Sequence, residues 1–196
     1  SSKRNFDEAI NYLKACVDIN PRHIEAHLEA GQNFINMGQK VNAQIAYKII
    51  LDIDKENSQA RLKLAQVLND LGIIEEAKKQ YEIGLQFSPN DTRLLNGLGR
   101  LLAKMGKFKQ AFENLHRSLE LNDTNTETLH NLGSTHQAIG DIASATDYYK
   151  RVLKIAPHAA FSEKCLLFLA LNDPKYSLNE FYKLHLKLRG HNNKPE

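Results

Sequence analysis

His23 and His27 stand one helical turn apart, a spacing that can bring two imidazoles to one metal ion. No clear third ligand accompanies them, and His27 falls in a column that recurs as a packing position. A structural histidine is therefore expected, and no metal site. His136 takes the place that Phe34, Leu68 and Leu102 hold in the other copies of an internal repeat, so burial is expected for it too. His116, His158 and His185 have no partner in the sequence. Glu75 and Glu76 fall where a helix begins, and there carboxylates favour the helix dipole. No Gly-rich phosphate loop, nucleophile elbow or cysteine cluster occurs. The chain is therefore expected to carry no catalytic site and to need no cofactor.

The elements that would hold these residues come from that repeat. Glycine recurs at Gly38, Gly72, Gly106 and Gly140, a spacing of 34 residues kept three times. Five residues on stand Ala43, Ala77, Ala111 and Ala145, and four further on Tyr47, Tyr81, Leu115 and Tyr149. Seven residues before each glycine is a small residue: Gly31, Ala65, Gly99, Gly133. Thirteen after it is Leu51, Leu85, Leu119 or Leu153. Seventeen after it comes Lys55, Pro89, Asp123 or Pro157, and prolines there stop one helix before the next turn. The apolar columns follow a helical period, with no strand alternation. Each unit reads as helix A, a turn at the glycine, and helix B. The glycine can take a positive φ to end helix A. The small residues let the helices approach.

The expected pairs are 22–37 with 40–53, 56–71 with 74–87, 90–105 with 108–121, and 124–139 with 142–155. They make full repeats 24–57, 58–91, 92–125 and 126–159. A half repeat at 5–21 precedes them, its helix running over 5–19. After Pro157 the register weakens. Residues 160–172 form a strongly apolar helix. Ser177 with Glu180 reads as a capping box. The helix it opens carries Leu178, Phe181, Leu184 and Leu188, and Gly190 ends it. Residues 160–190 are expected to cap the last apolar face, and 191–196 to be a disordered tail.

A repeat of this length built as helix–turn–helix resembles the tetratricopeptide repeat, over about Asn5 to Ala159. The resemblance implies an all-α solenoid, a right-handed superhelix with C-terminal capping helices, whose A helices line a concave wall. It further implies that positions two, five, six and nine of each unit face the groove. These are Glu25, Leu28, Glu29, Gln32; then Gln59, Leu62, Lys63, Gln66; then Arg93, Asn96, Gly97, Arg100; then Glu127, His130, Asn131, Ser134. Amide side chains there can bond a peptide main chain whatever its sequence. The expected binding residues are Gln32, Lys63, Gln66, Arg93, Asn96, Arg100, His130 and Asn131. The lysine–asparagine set that holds chaperone tails in this family is missing. The stretch from Phe161 through Leu166–Asn172, Asp173-Pro174 and Ser177 also resembles the segment after the repeats in glycosyltransferases of the O-GlcNAc transferase type. That resemblance implies a substrate-recruiting arm of a larger enzyme. The asparagine ladder of those enzymes is kept only at Asn131.

Charge and composition agree with an interaction module. Of 196 residues, 42% are hydrophobic, and the net charge of +3 is too small to point to nucleic acid. No stretch approaches the ~18 apolar residues of a membrane span. Cys16 and Cys165 stand at opposite ends of the repeats and read as small buried residues without a disulfide. A reducing, cytoplasmic setting is expected. The expected partner is a protein or peptide, with no nucleic acid and no membrane. Helix 5–19 lacks its own helix A, so Phe6, Ile10 and Leu13 form a face that could pair two copies as a homodimer. The same face could equally be bare only because the chain opens inside a repeat.

Overall fold

The computed structural model describes residues 20–172 and Leu186. These form helices α1 (Ile24–Asn36), α2 (Lys40–Ile53), α3 (Ser58–Asp70), α4 (Ile74–Phe87), α5 (Thr92–Lys104), α6 (Phe108–Leu121), α7 (Thr126–Ala138), α8 (Ile142–Ile155) and α9 (Ala160–Asn172), with no strand among the described residues. Odd-numbered helices are A helices and even-numbered ones B helices. The B helices fall on the expected bounds. The A helices are shorter than expected by one or two residues at each end. α9 begins 34 residues after α7, so it stands as a fifth A helix in register although its composition departs from the repeat. The expected helices over 5–19 and after Ser177, and the tail, lie outside the described residues.

Each A-to-B turn is built the same way. Gly38, Gly72, Gly106 and Gly140 have φ of 74°, 78°, 74° and 82°, the left-handed region that only glycine enters cheaply. That turn aims the next amide back at the helix end. Gln39, Ile73, Lys107 and Asp141 donate to the carbonyls of Phe34, Leu68, Leu102 and His136 at 2.8–2.9 Å. The A helices start on polar caps. Asn57 Oδ1 accepts from the Ala60 amide at 2.9 Å, Asn125 Oδ1 from Thr128 at 3.1 Å, and His23 Nδ1 from Ala26 at 3.2 Å. His27 Nε2 lies 2.9 Å from the Pro21 carbonyl, and 34 residues on Arg61 Nη2 donates to the Lys55 carbonyl at 2.6 Å. Both residues pin the loop that precedes their helix, and His27 is buried there.

The chain divides into two compact units, Ser1–Leu101 and Leu102–Glu196, with the division inside α5. In the first, α1 packs on α2, α2 on α3 and α3 on α4. Its core holds Ala43, Tyr47, Ile50, Leu64, Leu68 and Tyr81. In the second, α6 packs on α7, α7 on α8 and α8 on α9, around Leu115, Leu129, Leu132 and Tyr149. The alanine column is sealed from solvent in all four repeats.

The leucine column thirteen after each glycine is half-buried; the buried column is one residue earlier, at Ile50, Gly84, Ser118 and Val152. One expectation changes. The inter-helix histidine, His136, is half-buried. Its Nδ1 pairs with Asp141 Oδ2 at 3.0 Å, and its ring lies between Phe112 and Tyr148, at 4.6 and 5.4 Å.

The small column has a sharper role than close helix approach. A Cβ on Gly31 would stand 2.5 Å from the Tyr47 ring, and one on Gly133 2.8 Å from the Tyr149 ring. The glycines therefore make room for tyrosine. In the second repeat that column holds Ala65, and Tyr81 leans instead on Gly97 of the next A helix, where a Cβ would lie 2.5 Å away.

Candidate functional site

Residues three or four apart on a helix share a face, so positions two, five, six and nine form one stripe on each A helix. In the first unit this stripe is polar at its rim and closed at its floor. Glu25, Glu29, Gln59, Arg93 and Arg100 are exposed. Leu62, Asn96 and Gly97 are buried, Asn96 to 1% exposure. Two of the expected residues meet: Lys63 Nζ donates to Gln32 Oε1 at 3.0 Å, and Gln32 Nε2 donates to Asn36 Oδ1 at 3.3 Å. Neighbouring A helices are thus tied across the stripe by position nine of one and position six of the next. The following step has Gln66 and Gly97 in those places, with no side chain to complete a bridge.

Arg93 is held by Asp91 at 2.7 and 3.1 Å. Burial pushes the Asp91 carboxyl up. The Arg93 hydrogen bonds and charge, with the Leu94 amide, outweigh it and hold the group below the usual carboxylate range. Arg93 is therefore already spoken for. Arg100 is exposed and makes no ion pair among the described residues.

In the second unit, His130 is half-buried and fixed on both nitrogens. Nδ1 lies 2.8 Å from Ser162 Oγ and Nε2 3.3 Å from Ser134 Oγ. Its ring stands 5.3 Å from Tyr149 and 4.7 Å, edge-on, from Phe161. Burial lowers its pKa. Asn131 is 7% exposed. His130 and Asn131 therefore line the floor of this stripe, with Ser134 beside them.

Two features were not foreseen. Tyr149 Oη donates to Gln137 Oε1 at 2.9 Å and lies 3.2 Å from Ser134 Oγ. In the first repeat these two places hold Ile35 and Gln32, and the buried Tyr47 Oη has no hydrogen-bond partner among the described residues. Burial pushes the Tyr47 pKa up to about 12. Second, carrying the register into α9 puts Phe161 and Phe168 at positions two and nine, a substitution legible once the 34-residue spacing is extended past Ala159. Cys165, at position six, is half-buried rather than buried, and Cys16 lies outside the described residues. No group of three or more His, Cys, Asp or Glu is gathered to hold a metal among the described residues. No described helix is long and apolar enough to cross a membrane.

Profiles of the tetratricopeptide repeat match residues 90–158 and 1–23. The chain carries tetratricopeptide repeats. Solved structures of similar fold include PilW, a type IV pilus biogenesis factor, at 17% identity over all of this chain and 90% of that one, with a TM-score of 0.83. Pseudomonas aeruginosa PilF is similar at 21% identity over 98% of this chain and 87% of that one, with a TM-score of 0.77. A MamA protein is similar at 19% identity over 87% and 92%, with a TM-score of 0.69. No curated protein matches the chain in sequence. In the repeat register the α9 stretch that resembles the post-repeat segment of O-GlcNAc-transferase-type enzymes takes the place of a further A helix.

Proposed function

We propose that this tetratricopeptide-repeat protein is a non-catalytic interaction module whose A-helix stripes bind extended peptide or protein segments. The observation that carries this reading is the Lys63–Gln32 bond at 3.0 Å, which fixes a lysine and an amide side by side on the stripe. A pre-positioned polar pair loses little side-chain freedom when a guest main chain arrives. Lys63 keeps further N–H groups to donate, and Gln32 a second one. Arg100, on the next A helix but one from Gln32, adds an exposed cation with no ion pair among the described residues. Gln66, Arg93 and Asn96 line the same unit's stripe, and His130 and Asn131 that of the second unit. Arg93 is a weaker contact than its charge suggests, because Asp91 already holds it.

An array of random decapeptides, probed with the intact chain, tests the reading. Acidic members are expected to bind, and Lys63→Ala with Arg100→Ala to weaken them several-fold with an unchanged melting curve. An array without binders, or binding indifferent to both changes, would end the proposal.

A further inference from the structure

The stripe changes character at α9. Position two holds Glu25, Gln59, Arg93 and Glu127 in the four repeats, and Phe161 in α9; position nine holds Gln32, Gln66, Arg100 and Ser134, and then Phe168. Phe161 is 67% exposed and Phe168 56%. Lys164 stands between them at position five, exposed, with no hydrogen bond or ion pair among the described residues. Seven residues of helix separate the two rings by about 10 Å along the axis, with the lysine near the middle. The neighbouring A helix supports one end, where the His130 ring, anchored on Ser162, stands edge-on to Phe161 at 4.7 Å.

A B helix following α9 would leave the Phe161 ring uncovered if it sat as the others do. Position two is exposed in all four repeats with the repeat's own B helix in place. Position twelve behaves differently. Ile35, Asn69, Ala103 and Gln137 are half-buried, whereas its α9 counterpart Leu171 is exposed. The face awaiting a B helix is therefore the Leu171 side, and Phe161 stands outside it; Phe168 is at position nine, which is half-buried at Gln32, Gln66 and Ser134 and exposed at Arg100. The chain beyond Asn172 is also the wrong sign for Lys164, with five lysines and arginines against three acidic residues.

We propose that Phe161, Lys164 and Phe168 dock a partner segment presenting two apolar side chains with a carboxylate between them. A segment in the polyproline II conformation, with three residues per turn, brings residues three apart to one face at about 9 Å, close to the ring spacing. This rests on the reading of the A-helix stripe as the binding surface, and it names the chemistry that one end selects.

Three fluorescein-labelled decapeptides test it by anisotropy with the full chain. One carries leucines three apart around an aspartate, one has lysine for the aspartate, and one has serines for the leucines. The first is expected to bind at least tenfold tighter than the other two. Phe161→Ser with Phe168→Ser should abolish that advantage, and Lys164→Glu should turn the preference toward the lysine peptide. Lys164→Glu alters only an exposed side chain, so it decides the matter even if the serine variant melts low. Equal binding of the three peptides overturns the site, as does a preference unmoved by Lys164→Glu. A concentration-dependent dimer in light scattering that the serine variant abolishes would also overturn it, by giving the rings to a second copy. Should Lys63→Ala and Arg100→Ala weaken array peptides while the α9 variants change nothing, the stripe keeps its role and this site is lost.

Discussion

Ser118 Oγ lies 3.0 Å from Thr128 Oγ1, and both side chains are buried between a B helix and the next A helix. The same junction one repeat earlier pairs Gly84 with Leu94, where a Cβ on the glycine would stand 2.9 Å from Leu94 Cδ1. By register, the other two junctions pair Ile50 with Ala60 and Val152 with Ser162, all four buried. Large meets small, small meets large, and hydroxyl meets hydroxyl. Ser118→Ala strips Thr128 of its side-chain partner and should cost about 1–3 kcal/mol. Ser118→Ala with Thr128→Val should cost clearly less than the two changes summed, because neither side then holds an orphaned hydroxyl. Urea unfolding of the four chains measures the coupling; strict additivity would refute it.

Gly97→Ala sets two effects against each other. Alanine favours a helix interior by about 1 kcal/mol over glycine, but its Cβ would overlap the buried Tyr81 ring at 2.5 Å. Overpacking should prevail, with a net loss of about 1–3 kcal/mol. Gly72→Ala meets no atom within 4 Å and fails for another reason, a backbone φ of 78°, at about 1–2 kcal/mol. A chain stabilised by Gly97→Ala in urea would contradict the contact between this glycine and the tyrosine ring.

Tyrosines in one column should respond oppositely to loss of the hydroxyl. Tyr149→Phe removes bonds to Gln137 and Ser134 and should destabilise by about 1 kcal/mol. Tyr47→Phe removes a buried hydroxyl with no partner among the described residues and should be neutral or stabilising by up to about 1 kcal/mol. Thermal melts of the two variants should move in different directions. A common shift would mean the two sites are equivalent after all.

Acid should loosen the second unit. Burial lowers the pKa of His130; His116 is lowered by burial and then by the charge of His136, with Glu120 opposing. The folded state therefore disfavours these protons, which the unfolded chain accepts near pH 6.5. Their stabilisation is complete above about pH 6.5 and is lost as pH falls through the folded values. His130→Asn should flatten the decline in melting temperature between about pH 7 and pH 5. An unchanged slope would assign the acid sensitivity elsewhere.

The 34-residue spacing alone determined the helices, since a positive-φ glycine and a sealed alanine each tolerate few residue types and so leave a mark in every copy. It also determined which A-helix positions share a stripe. Tertiary packing decided the rest, because it depends on pairs rather than columns. Ser118 and Gly84 do not look like core residues until Thr128 and Leu94 stand opposite them. Asn96 and Asn131 read as surface amides and are buried, and Arg93 reads as a free cation and is bound by Asp91. A side chain's solvent access and its partner are set by what lies across from it, and the order of residues along one chain does not carry that information.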